Sequence, residues 1–126
     1  MEKILVVDDE EIMRDMVAMV VAEMGFEVAK AVDGVDALEQ FQAQNEPFCI
    51  VVMDIRMPRM DGIEATQKIK EINPTTKVVL ISGNDRAPAG TMADAFLPKP
   101  FRVNELFQVI NAVHGNGSFD PWMATG

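Results

Sequence analysis

Phe48-Cys49-Ile50-Val51-Val52-Met53-Asp54 is six apolar residues closed by an acid, and its reading decides the fold. The run is too short for an ordinary helix and rich in β-branched residues. It has no polar alternation, so both faces of the strand it forms are buried, as in a parallel sheet. Asp54 then stands where the strand reaches solvent. Upstream, Ile4-Leu5-Val6-Val7 ends in the same way at Asp8-Asp9. Two strands deliver acids at their carboxyl ends.

Between and beyond these runs the hydrophobic period changes. From Glu10 to Met24, Met13, Met16, Val17, Val20, Val21 and Met24 recur at three- and four-residue steps, which predicts an amphipathic helix stopped by Gly25. Phe26 to Ala31 reads as a strand, and Asp33-Gly34 as a turn. Val35, Ala37, Leu38 and Phe41 mark a second helix to about Gln44. A third runs from Gly62 to Ile72, with Ile63, Ala65, Ile69 and Ile72 for its buried side. Lys77 to Ile81 is a fourth strand ended by Ser82, and Ala95-Phe96-Leu97 a short fifth ended by Pro98-Lys99-Pro100. The last helix spans Val103 to His114. Strands alternating with helices imply an α/β doubly wound parallel sheet with right-handed crossovers. Its site lies beyond the carboxyl ends of the strands, where strand order reverses. Asp8, Asp9, Asp54, Ser82 and Lys99 are all gathered there.

Composition narrows the rest. The 126 residues, 48% hydrophobic and 25% charged, suit one globular domain with one core. The net charge of −9 opposes direct binding to nucleic acid or to an anionic membrane. No signal segment or membrane span is visible, so a cytoplasmic location is expected. The lone Cys49 reads as a small buried hydrophobe, and the ten methionines as core filler. Gly115 to Gly126 reads as a flexible tail following a domain of residues 1–114.

Three carboxylates brought together repel, and each has a raised pKa unless a cation compensates. Oxygen ligands without histidine or cysteine suit Mg²⁺, with Mn²⁺ as a substitute, better than zinc or copper. Beside such a cation, Asp54 is a nucleophile for a phosphoryl group. Lys99 neutralises the transferring oxygens and Ser82 donates a hydrogen bond to one of them. For Asp9, capping of the first helix is a second reading that can coexist with metal binding. Glu10 and Glu11 suit the positive end of the helix dipole, and His114 the negative end of the last helix.

Val7-Asp8-Asp9, Met53-Asp54-Ile55-Arg56-Met57-Pro58-Arg59-Met60-Asp61-Gly62, Ile81-Ser82-Gly83 and Ala95-Phe96-Leu97-Pro98-Lys99-Pro100-Phe101 resemble, in that order, the sequence blocks of response-regulator receiver domains of the chemotaxis-Y type. The resemblance covers residues 3 to about 114. It implies a flavodoxin-like sheet of strand order 2-1-3-4-5 and phosphorylation of Asp54 by a sensor histidine kinase or phosphotransfer protein in two-component signalling. Asp9, Asp54 and the backbone carbonyl of Arg56 are the implied Mg²⁺ ligands, with Asp8 acting mainly through water. Ser82 and Phe96 are the implied switch pair, Lys99–Pro100 the implied cis peptide, and Arg56 and Asn84 the residues that tune dephosphorylation. A target or output domain is the implied receiver of the signal, and dimerisation lies within the family's range.

One stretch departs from the pattern. Gly83 to Met92 holds two glycines and a proline where a helix of several turns is expected, and each disfavours a helix interior. The fourth helix is therefore expected to be shortened or irregular, a loop with at most about two helical turns. Two other functions compete with the switch. A haloacid-dehalogenase-like aspartyl-phosphate phosphatase would carry its nucleophile after the first strand in an Asp-x-Asp arrangement. A receiver-like interaction module that takes no phosphate would not need the intact polar set.

Overall fold

The computed structural model describes residues 2–83 and 89–115. In chain order the elements are β1 (Lys3–Val7), α1 (Glu11–Glu23), β2 (Glu27–Ala31), α2 (Gly34–Ala43), β3 (Ile50–Asp54), α3 (Gly62–Ile72), β4 (Lys77–Ser82), β5 (Ala95–Pro98) and α4 (Val103–His114). The strands form one parallel sheet in the order β2-β1-β3-β4-β5. This is the doubly wound, flavodoxin-like architecture expected from the sequence.

Alternation along each strand divides the core into two layers. Ile4, Val6, Ile50, Val52, Val79, Ile81 and Leu97 face one way and are covered by α1 and α4. Leu5, Val7, Val51, Met53, Val78, Leu80 and Phe96 face the other way, toward α2 and α3. The central strand β3 is buried along its whole length, which is why its sequence lacks polar alternation.

Helix α3 corrects the sequence reading of its buried side. Ile63 and Ile72 are exposed, and the face turned inward is Ala65, Thr66, Ile69 and Lys70. At ~100° per residue the two isoleucines fall roughly 90° to either side of that stripe. The polar members of the stripe are satisfied. Thr66 Oγ1 donates to the Gly62 carbonyl at 2.6 Å, and Lys70 Nζ donates to Asp94 Oδ2 and to the Thr76 carbonyl, each at 2.7 Å. Asp94 Oδ2 also accepts the Val78 N–H at 2.8 Å.

Between β4 and β5, Gly83 is a bend, Ala89-Gly90 a turn, and residues 91–94 carry no helix. Residues 84–88, Asn84 among them, lie outside the described residues. The tail from residue 116 onward also lies outside them. Among the described residues no helix is long and apolar enough to cross a membrane.

Candidate functional site

Strand geometry delivers the acids to one crevice. Asp54 is the last residue of β3 and Asp8 follows β1, the two strands being paired with Val7 opposite Met53. Asp8 and Asp54 are buried, at 3% and 7% exposure, whereas Asp9 is exposed. One carboxylate oxygen from each of Asp8, Asp9 and Asp54 lies within 4.8 Å of the others. Lys99 reaches in from the end of β5, its Nζ 3.5 Å from Asp54 Oδ2 and 3.7 Å from Glu10 Oε1. Its backbone N–H donates to the Ser82 carbonyl at 2.7 Å, and its peptide bond to Pro100 is cis.

The surrounding backbone holds these groups in register. Asp8 Oδ1 accepts the Glu10 N–H at 2.9 Å, and the Asp8 carbonyl accepts Arg14 Nη1 at 2.9 Å. The N-cap of α1 is therefore Glu10, which makes no side-chain capping bond, and the capping role considered for Asp9 is not seen. Asp61 caps α3 by accepting the Glu64 N–H at 2.9 Å. Gly62 packs so closely on the Asp54 carbonyl that any Cβ there would collide with it. Helix α3 can start directly beneath β3 only because position 62 has no side chain.

Electrostatics mark the crevice as short of positive charge. Burial raises the Asp8 pKa to about 6, with the Glu10 N–H opposing and Asp54 repulsion adding to the rise. Asp54 is also raised by burial, against the pull of Lys99 and of the Arg56 N–H. Among the described residues, the one ammonium at 3.5 Å does not balance the cluster. The donor set fits a hard divalent cation: oxygens only, on the ends of separate strands, two of them buried and held above the ordinary carboxylate range.

Ser82 is the buried last residue of β4, opposite Pro98. Phe96, opposite Leu80, has its ring buried in the layer that includes Leu80 and the partly buried Ile55, Met57 and Ala93. Arg56 is exposed in the loop after β3. Cys49 is only half-buried, a correction to the expected buried hydrophobe. Its position just ahead of β3, near the Lys3 carbonyl, leaves one side open, and burial of the other pushes its thiol up to about 11. His114 closes onto Glu2 at 2.8 Å and meets the Phe26 ring edge-on, at a distance from the acids in sequence and fold. Sequence reasoning missed the Glu10–Lys99 pair and the fork between Arg59 and Asp33, whose Nε–Oδ2 and Nη2–Oδ1 distances are 2.7 and 3.0 Å.

With this geometry in place, comparison with known proteins decides the family. The model of the response regulator receiver domain matches residues 4–111. The chain belongs to that family. As a receiver domain it is 44% identical over 81 residues to the chemotaxis protein CheY of Treponema pallidum, covering 64% of this chain and 56% of that protein. It is 36% identical to the CheY of Bacillus subtilis, over 86% of this chain and 94% of the relative. It is 34% identical to the autoinducer 1 sensor kinase/phosphatase LuxN of Vibrio campbellii over 85% of this chain, but spans only 13% of LuxN. Among solved structures, the response regulator TrrA of Thermotoga maritima, in complex with Mg²⁺-BeF, superimposes with a TM-score of 0.81 at 29% identity, over 90% of this chain and 99% of that one. Receiver domains of this type are signalling switches of two-component systems.

Proposed function

We propose that this receiver accepts a phosphoryl group on Asp54 from a histidine kinase or phosphotransfer protein, in a reaction that requires Mg²⁺, and that the modification changes its conformation and so its affinity for a target or output domain. One observation carries the reading: the three carboxylates within 4.8 Å of one another, with a single lysine 3.5 Å from Asp54. The Mg²⁺-BeF complex of the similar Thermotoga protein supports a divalent cation here. Asp9, Asp54 and the Arg56 carbonyl would hold the ion, with Asp8 acting mainly through water. When bound, it neutralises the acids and screens the negative oxygens of the incoming phosphoryl group.

The protein's own groups do the rest. An Asp54 carboxylate oxygen attacks phosphorus as the P–N bond to the donor imidazole breaks, and the bonding pair leaves with the imidazole. Lys99 Nζ stands beside Asp54 to receive charge from a phosphoryl oxygen, and the Ser82 hydroxyl donates to another. Drawing Ser82 toward the phosphoryl group favours the state in which the Phe96 ring lies inward, and the equilibrium shifts toward that state. Arg56 flanks the route of water to the acyl phosphate and tunes its lifetime. Asn84, assigned the same role, lies outside the described residues. The receiver unit spans residues 1–114.

Incubation with Mg²⁺ and acetyl phosphate, followed by intact mass measurement, tests the reading. One added phosphoryl group on the wild type and none on Asp54→Asn is the expected result. A folded wild type that stays unmodified by both acetyl phosphate and a cognate kinase would make the domain an interaction module. Family membership leaves no support for the haloacid-dehalogenase alternative.

A further inference from the structure

The loop from Ile55 to Asp61, between β3 and α3, is tied at its base. The Ile55 N–H donates to the Ile81 carbonyl at 2.9 Å, and the Gly62 N–H donates to the Ile55 carbonyl at 2.7 Å. Its tip is held in a conformation that its own residue disfavours. Arg59 sits at φ +67°, in the left-handed region that non-glycine side chains seldom enter. The Met60 N–H donates to the Pro58 carbonyl across it at 2.7 Å, and an i to i+2 closure over a positive φ is a strained γ-turn. Such a conformation persists only where its surroundings over-determine it.

Those surroundings are the turn between β2 and α2. Arg59 forks onto both oxygens of Asp33, a carboxylate that is almost fully buried and also caps α2 by accepting the Asp36 N–H at 2.8 Å. The next residue, Gly34, lies against Met60, where an added Cβ would come within 2.6 Å of the Met60 carbonyl oxygen. Two consecutive residues of one loop therefore grip two consecutive residues of the other. The fork also holds the Asp33 carboxyl below the usual carboxylate range, so it stays ionised across neutral pH. Arg56 hangs between the tied base and the gripped tip.

We propose that the Arg59–Asp33 fork is a clamp that positions the loop bearing the Arg56 carbonyl, and thereby sets the affinity of the acid crevice for Mg²⁺. The inference rests on the reading of the crevice as a Mg²⁺ site. Arg59 and Asp33 are positioning residues that touch neither the ion nor the phosphoryl group. A guanidinium is needed because only its planar fork can hold both carboxylate oxygens in one geometry.

An ordinary surface ion pair would affect stability alone, so the test separates the two. Mg²⁺ is titrated calorimetrically into the full chain, with unfolding in the metal-free state followed alongside. Arg59→Gly removes the fork but relieves the positive φ, and Asp33→Asn keeps an oxygen for the α2 cap. Arg59→Gly leaves the buried Asp33 carboxylate without its partner and is expected to lower metal-free stability, whereas Asp33→Asn is expected to change it little; both are expected to weaken Mg²⁺ binding roughly tenfold, the usual scale for groups that support metal ligands. Arg59→Lys is expected to fall between these and the wild type, and the double variant to bind no more weakly than either single one. Folded Arg59→Gly and Asp33→Asn proteins that bind Mg²⁺ within about twofold of the wild type, itself a binder, would overturn the clamp alone. A wild type that binds no Mg²⁺ would overturn the clamp and the cation reading together.

Discussion

Among the described residues, two clusters of buried charge lie at opposite ends of the sheet, and only one of the two is balanced. At the amino ends of β4 and β5, Lys70 meets Asp94 at 2.7 Å. The remaining polar atoms there find the Thr76 carbonyl and the Val78 N–H. At the carboxyl ends, among the described residues, three acids face one lysine, and burial lifts two of the acids above their ordinary range. A buried pair with its hydrogen bonds made is a complete structural unit, which breaks if either partner is removed. A buried cluster left short of positive charge is a binding site held at some expense of stability. The same chemistry thus serves architecture in one place and function in the other.

The contrast breaks most decisively at Asp54. Asp54→Asn is expected to abolish phosphoryl incorporation, measured by intact mass, without loss of fold. Lys70→Ala makes the converse case. It leaves Asp94 with only the more distant Lys77, 4.0 Å away, as an opposing charge and is expected to cost up to about 3 kcal/mol in urea denaturation, while whatever protein remains folded is still labelled on Asp54. A Lys70→Ala protein as stable as the wild type would remove the distinction between the two clusters.

Next in size is an effect of opposite sign. Above pH 6 the folded protein carries an ionised, buried Asp8 that the unfolded chain ionises more easily, so Asp8 lowers the stability of the metal-free protein. A rise from 3.8 to about 6 corresponds to roughly 3 kcal/mol at 1.36 kcal/mol per unit. Asp8→Asn can keep the bond from the Glu10 N–H and is expected to stabilise the metal-free protein at pH 7 by about 2 kcal/mol, an advantage that disappears below pH ~4. An unchanged or lowered urea midpoint at pH 7 would show that the crevice carries no such strain.

The unbalanced cluster was legible in the sequence and the balanced one was not. Asp8, Asp9, Asp54 and Lys99 each end a readable apolar run, so the strand pattern alone places them on one edge of the sheet. Lys70 looks like any solvated helix residue, and its partner lies 24 positions away in a segment with no periodicity. The same difficulty hid Arg59 and Asp33, 26 positions apart. It also misassigned Ile63 and Ile72: hydrophobicity placed them in the core, whereas a satisfied lysine and threonine occupy the inward face. Apolar periodicity reports which faces are dry, and long-range charge pairing leaves no periodic trace.

The smallest effect concerns protons competing with the ion. Because the folded Asp8 carboxyl titrates near 6, it is almost wholly ionised at pH 7 and mostly protonated at pH 5. Mg²⁺ binding must then displace a proton. For one group of that pKa the apparent affinity falls about tenfold between pH 7 and pH 5, or ~1.4 kcal/mol. Asp33 adds nothing in this range, because its shift is downward and it stays ionised throughout. Calorimetric titrations at pH 5, 6 and 7 should therefore show weaker binding with each step down, and Asp8→Asn should flatten the profile. A wild-type affinity that is level from pH 7 to pH 5 would mean that the acids are compensated without the ion, making the crevice another balanced cluster like that of Lys70 and Asp94.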